Sequence, residues 1–300
     1  MKIEQNKKCL NDERPLNLFV TIDENYIPQF NVMLYSLLRN NKSEKISVYL
    51  LHNSIDENLI APTRKMIGSQ GTIRLLKIDE IGLKNAPTSG RYPKEMYYRI
   101  FAAKYLPEDL DRALYLDPDI IINKSLRSLY ETPLGTSLFA AATHIRGAMH
   151  FFNELRLGID KKAAYINSGV MLFNLPMLRT EQNYSDVFEY IDSHKGRLFL
   201  PDQDIISGLY GDKIKILDAV LYNMTERMFV FRKQPNVNSD LEFVRDNSVV
   251  IHYCGKNKPW KNSYKGRLGV FYEETISKMA DDDSVPLEIK TMCVPRERHI

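Results

Sequence analysis

The chain is short of several things, and each shortage removes a class of protein. Three cysteines in 300 residues, Cys9, Cys254 and Cys293, are too few and of the wrong parity for a disulfide framework. No run approaches the roughly 18 consecutive apolar residues of a membrane span. The opening MKIEQNKKCLNDERPLN has no apolar core of the kind a secretory signal carries. A reducing, cytoplasmic setting is the expectation. The formal net charge is only +3, which leaves no electrostatic case for nucleic acid. Neither G-x-x-x-x-G-K-[ST] nor G-x-G-x-x-G occurs, so a P-loop NTPase or an ordinary dinucleotide dehydrogenase is not expected. There is no internal repeat.

What is present is globular: 44% hydrophobic and 26% charged residues, enough for one large domain or two small ones. Up to about residue 130, short β-like runs alternate with helical ones. Leu16–Ile22, Ile46–His52 and Thr72–Asp79 read as strands, rich in β-branched and aromatic residues. After Pro28 the spacing changes: Phe30, Met33, Leu34, Leu37 and Leu38 share one helical face. Residues 57–71 read as a helix with a glycine stop, and 94–106 as a helix stopped by Pro107. Beyond 135 the alternation is less regular. Gly169–Leu175, 213–218 and 248–253 read as strands, 186–196 and 202–211 as helices. The segment after 278 is polar and shows no strong period.

Strands separated by helices predict an α/β fold with a doubly wound, mostly parallel sheet. Ligands gather outside the carboxyl ends of such strands. Asp23 and Asp117 both stand at that end.

Asp117-Pro118-Asp119 follows the apolar run RALYL. Residues i and i+2 of an extended chain point to one side, and Pro118 biases Asp117 away from helix. Two carboxylates can therefore converge on a hard divalent cation. The same three residues also fit a type I turn. His252 ends another apolar run and offers a further ligand, or a core histidine. Gly255, Lys256 and Lys258 follow it, allowing close backbone approach and positive charge beside a diphosphate. A mixed oxygen and nitrogen ligand set favours Mn²⁺ over Mg²⁺.

Six stretches occur in order: FVTIDENYIPQFNVMLYSLLRNN, YYRIFAAKYLP, RALYLDPDIIINKSLRSLY, YINSGVMLFNL, PDQDIISGLYGDKIKILD and IHYCGKNKPW. Together they resemble the retaining glycosyltransferases of family 8, the galactosyltransferase and glycogenin group, over residues 16–265. The resemblance implies a GT-A type, Rossmann-like domain, placed at 16–277 between an extension, 1–15, and a tail, 278–300. It implies a UDP-sugar donor, UDP-glucose or UDP-galactose, and Mn²⁺, with Mg²⁺ as the other option. By matching position, Asp117, Asp119 and His252 would ligate the metal. Thr21, Ile22, Asp23, Tyr26 and Pro118 would hold the nucleotide, Tyr26 by stacking on uracil. Arg99 would face the diphosphate or donor sugar. Asn167, Asp202 and Gln203 would contact the sugar, the last two at the reacting centre. Gly255 and Lys258 would grip the phosphates.

Each of these positions also has an ordinary structural use. Asp23 and Asp202 suit helix or turn caps. Asn167 suits a turn, Tyr26 plain packing, and Arg99 and Lys256 solvated faces. A glutamine is a poor nucleophile, so Gln203 at the reacting centre points to front-face substitution with retention.

Three other classes compete. Haloacid-dehalogenase-type phosphatases also carry Asp-x-Asp after a strand, but here Ile120 and Ile121 follow, and the acidic run at 280–283 follows no strand. A nucleotidyltransferase would need a Gly-rich, arginine-containing loop after the first strand. A non-catalytic UDP-sugar binder fits the same residues. The acceptor is expected to be a cell-surface or lipid-linked glycan met by residues 223–247. A peripheral contact with the inner membrane surface through the tail is a further option, weakened by its acidic start and lack of aromatics.

Overall fold

The computed structural model describes residues 14–79, 88, 94–145, 148–231 and 237–293. Most of the 1–15 extension, Cys9, residues 232–236 of the expected acceptor segment and residues 294–300 of the tail lie outside them.

The expected sheet forms. Seven strands lie in the order β3-β2-β1-β4-β7-β6-β8. They are β1 Leu16–Thr21, β2 Ile46–His52, β3 Gly71–Lys77, β4 Arg112–Leu116, β6 Phe139–Ala142, β7 Val170–Asn174 and β8 Ile214–Leu217. Only β7 runs against its neighbours; the other pairings are parallel. β1 is central and buried on both faces, which is why Leu18, Phe19 and Val20 follow one another without polar alternation. Leu18 and Val20 join the core on one face of the sheet. Phe19 points to the other and meets the Phe173 ring edge-on at 4.8 Å.

Helix α1 (Ile27–Asn40) buries the predicted stripe against the sheet. Its opposite side is covered too. Val32 and Tyr35 pack on a third core formed with helices near the C-terminus, α8 (Gly269–Asp281) and α9 (Leu287–Cys293). α9 corrects the aperiodic reading of that stretch: Val285, Ile289 and Cys293 turn inward, too few contacts to leave a long period. The remaining labelled helices are α2 (Glu57–Ile67), α3 (Ala148–Leu157), α4 (Leu175–Glu181), α5 (Tyr184–Ser193), α6 (Pro201–Tyr210) and α7 (Val237–Asn247).

Three other readings change. The helix expected over 94–106 is two short helices, Glu95–Tyr98 and Ala102–Tyr105, joined by a tighter turn at Arg99–Phe101. β6 had no strand signal: FAAA carries three alanines of poor strand propensity, and its place between β7 and β8 overrides that. The strand read at 248–253 does not enter the large sheet. It is β9 (Val250–His252), antiparallel to β5 (Ile120–Ile122), with His252 opposite Ile120.

Candidate active site

The β5–β9 pairing builds the site. β4 ends at Leu116 in the large sheet and β5 starts at Ile120 in the small one, so Asp117-Pro118-Asp119 bridges the two. Pairing Ile120 with His252 sets that imidazole beside both aspartates. The backbone closes around it: Tyr253 N donates to Asp119 O at 3.0 Å and His252 N to Met224 O at 2.8 Å. On the other side, Asp117 N donates to Gly169 O at 2.8 Å. A Cβ on Gly169 would lie 2.2 Å from His252 Cε1 and 2.7 Å from Asp117 Oδ2, so only glycine fits.

The donor atoms of Asp117, Asp119 and His252 all lie within 4.8 Å of one another. Among the described residues no other cluster of potential metal ligands forms. His252 Nδ1 lies 2.9 Å from Asn223 Oδ1, an acceptor, so the hydrogen-bond network puts the proton on Nδ1. The Nε2 lone pair then faces Asp119 Oδ1 at 3.2 Å and Asp117 Oδ2 at 3.6 Å. Asp119 Oδ1 is buried with no hydrogen-bond donor. Three electron-rich atoms converging on one point fit a divalent cation. Lys258 Nζ pairs with the other oxygen, Asp119 Oδ2, and donates to Tyr253 O at 2.9 Å. Burial pushes the Asp119 carboxyl up, but the Lys258 ammonium outweighs it and holds the group below the usual carboxylate range.

The cluster is one end of a cavity of about 730 Å³ at the carboxyl ends of β1 and β4. Every residue singled out from the sequence lines it: Thr21, Ile22, Asp23, Tyr26, Arg99, Asp117, Pro118, Asp119, Asn167, Asp202, Gln203, His252, Gly255 and Lys258. Their states differ. Asp23 caps the Glu24–Tyr26 turn, accepting from Asn25 N at 3.0 Å, so its structural use is realised. Tyr26 leaves 37% of its surface open at the cavity. Gly255 has φ +87°, a left-handed conformation that suits glycine. Lys256 is exposed at the rim.

Arg99 is not on a solvated face; it is 7% exposed. The tight turn aims its guanidinium between two carboxylates, Asp117 Oδ1 at 3.1 Å and Asp202 Oδ2 at 3.1 Å, with Tyr115 under it at 4.3 Å. Asp202 also accepts from Ser168 Oγ at 2.7 Å. Burial raises the Asp202 carboxyl and Arg99 opposes that. Gln203 Oε1 accepts from Asn167 Nδ2 at 3.4 Å. Cys254 also lines the cavity; it is exposed there, but desolvation by the crowded wall and the nearby Asp119 push its thiol up to about 11, so it stays protonated.

Sequence reasoning missed Asn223, which is fully buried and joins the two halves of the site. Its Oδ1 holds His252, its Nδ2 donates to Asn167 Oδ1 at 2.8 Å, and its carbonyl accepts from His144 Nε2 at 2.9 Å. A single asparagine before Met224 carries no local signal. Asp204 was also missed as an anchor. It is 0% exposed, gripped by Arg156 at 2.6 and 2.7 Å, by Tyr165 Oη at 2.7 Å, and by the backbone amides of Phe199 and Leu200. That grip fixes the start of α6, which presents Asp202 and Gln203.

Comparison with known proteins gives the arrangement a family. The model of glycosyl transferase family 8 matches residues 17–263. A lipopolysaccharide 1,2-glucosyltransferase of Escherichia coli is 28% identical over 263 residues, 87% of this chain and 77% of that protein. A lipopolysaccharide 1,3-galactosyltransferase of Salmonella typhimurium is 23% identical over 262 residues, 83% and 74% of the two chains. The crystal structure of the galactosyltransferase LgtC with donor and acceptor sugar analogues superposes with a TM-score of 0.77 at 23% identity. It covers 92% of this chain and 100% of that one, and shows the shared GT-A fold. These matches remove the phosphatase alternative. The cavity from Thr21 to Lys258 falls within the matched span, and the chain belongs to glycosyl transferase family 8.

Proposed function

We propose that the chain moves a hexose, glucose or galactose, from a UDP-sugar to a hydroxyl of a glycan acceptor, with retained configuration at the anomeric carbon. The observation that carries this reading is the buried, partnerless Asp119 Oδ1 facing His252 Nε2 at the cavity end where Lys258 also stands. Asp117, Asp119 and His252 would hold Mn²⁺, or Mg²⁺. The bound cation would supply positive charge to the diphosphate as UDP departs.

Thr21, Ile22, Asp23, Tyr26 and Pro118 line the wall suited to the nucleoside, Tyr26 with a ring open to stacking. Lys258 and the Gly255 backbone lie beside the diphosphate path, where an ammonium stabilises the leaving charge. Asn167, Asp202 and Gln203 orient the sugar. In the reaction the bond from the anomeric carbon to the β-phosphate oxygen breaks. The acceptor oxygen bonds to that carbon on the same face, and its proton passes to the departing phosphate oxygen. A double displacement needs an available carboxylate, and the two nearest on α6 are engaged. Asp202 is bound by Arg99 and Ser168, and Asp204 by Arg156 and Tyr165. Gln203 is an amide. Front-face substitution remains.

Relatives of both donor types occur, one glucosyl and one galactosyl by name, and both act on lipopolysaccharide by name. A cell-surface or lipid-linked glycan is the proposed acceptor class, and the cytoplasm, where nucleotide sugars are available, the proposed site of action. Thermal melting with Mn²⁺ and a panel of nucleotide sugars tests the reading. A ligand at 100 times its dissociation constant adds about 2.7 kcal/mol, which raises the melting point on the order of 5 °C. A Mn²⁺-dependent rise with UDP-glucose or UDP-galactose, absent in Asp119→Asn, is expected. A folded protein that responds to no UDP-sugar overturns the proposal.

A further inference from the structure

Helix α3 (Ala148–Leu157) is inside out. A surface helix ordinarily buries its apolar stripe and shows its polar one. Here Asn153 is only 4% exposed and the Arg156 side chain 6%, because Arg156 reaches inward to both oxygens of Asp204. Of its large apolar residues only Leu157 is buried, on the polar side; Met149 is 46% exposed, Phe151 56%, Phe152 46% and Leu155 68%. Phe151, Phe152 and Leu155, spaced by one, three and four, share one side, while Met149 is exposed at the first turn. Phe199, 55% exposed, enlarges that side by stacking on Phe152 with ring centres 6.2 Å apart. An apolar face of four large side chains, Phe151, Phe152, Leu155 and Phe199, held outward by a buried ion pair, is an interaction surface.

Its position and border narrow the occupant. Phe199 precedes Leu200, which lines the cavity beside Asp202 and Gln203. The face therefore lies next to the end of the cavity where an acceptor meets the sugar. Lys161, Lys162 and Arg197 are exposed at its border. The exposed acid there, Asp160, accepts from the Lys162 amide, and Lys195 is paired with Asp192 at 2.8 Å. Apolar side chains with a border in which cations outnumber acids match an anionic lipid surface. A two-fold contact between copies would bring the cationic border against itself. Ten residues span about 15 Å, so the helix lies on a bilayer and does not cross it.

We propose that α3 and Phe199 dock the enzyme on an anionic membrane surface, holding the cavity beside membrane-borne acceptors. The docking is independent of donor binding, so its failure leaves the reading of the cavity standing. The test is co-sedimentation of the full chain with vesicles of phosphatidylcholine containing phosphatidylglycerol, and with phosphatidylcholine alone. Binding to the anionic vesicles is expected. It should drop at least about 10-fold in Phe151→Ser/Leu155→Ser, whose side chains contribute little to the core, and in Lys161→Glu/Lys162→Glu. The nucleotide-sugar melting shift should stay unchanged in both. Leu287→Ser, at a residue of α9 that is 74% exposed, should bind like the wild type. Three results overturn the proposal: wild type left in the supernatant with both vesicles, undiminished binding by the serine variant, or a dimer in light scattering that the serine variant dissolves.

Discussion

Gly169→Ala tests the geometry of the metal cluster with a single methyl group. The backbone there is not left-handed, so the question is space alone. The new Cβ would sit 2.2 Å from His252 Cε1, 2.9 Å from His252 Nδ1 and 2.7 Å from Asp117 Oδ2, where unstrained contact begins near 3.4 Å. His252 would have to retreat by about 1 Å. It is held on three sides: by pairing with Ile120, by the hydrogen bond its amide N–H donates to Met224 O, and by Asn223 on the ring. Asp117 is held by Tyr115 Oη at 2.5 Å and by Arg99. Overpacking a rigid site costs about 1–3 kcal/mol, which for a chain of this size lowers the melting point by roughly 2–5 °C. Disturbing only the groups behind metal ligands costs 10–100-fold in affinity, so displacing two ligands should cost about 100-fold or more. Titration calorimetry with Mn²⁺, alongside circular dichroism to establish folding, measures both. A folded Gly169→Ala that binds Mn²⁺ as the wild type does would refute the arrangement of the three ligands.

Asn223→Ala frees the His252 ring and removes a partner of Asn167. Mn²⁺ affinity should fall about 10–100-fold while the chain stays folded; an unchanged calorimetric titration contradicts the positioning role. Arg156→Met leaves the fully buried Asp204 uncompensated and should cost about 3–5 kcal/mol in urea unfolding, part of it recovered by adding Asp204→Asn. A loss below about 1 kcal/mol would mean the pair does not anchor α6. His144 gives a pH dependence. Burial first, then the nearby His252, lowers its imidazole from 6.5 to about 4. The unfolded chain therefore takes up the proton at higher pH than the folded one. Stability is full above about 6.5 and falls by up to roughly 3 kcal/mol as the pH drops to 4. His144→Gln should melt with a shallower pH dependence over that window, and parallel curves for the two proteins would contradict the assignment.

Local pattern reached far into this protein. The apolar stretches that became β1, β2 and β3, the stripe of α1, and the strand-end aspartates were all readable, because periodicity and strand burial act within a window of a few residues. The fourteen singled-out residues that line the cavity came from ordered motifs, not from any one of them alone. What stayed hidden was non-local. The alanines of β6 are a strand only because β7 and β8 flank them. Arg99 reads as a surface cation until Asp117 and Asp202 are brought to it.

The sequence by itself determined an α/β chain with acidic strand ends and a lysine-rich turn behind a histidine. Only the tertiary structure decided that β5 pairs with β9 outside the main sheet, joining Asp119 to a histidine 133 positions along the chain. It also decided that Asn223 ties that histidine to Asn167, and that α3 turns its phenylalanines outward. Those outcomes rest on which buried polar group finds which partner across the fold, and a desolvated group is satisfied by neighbours in space that no sequence window contains.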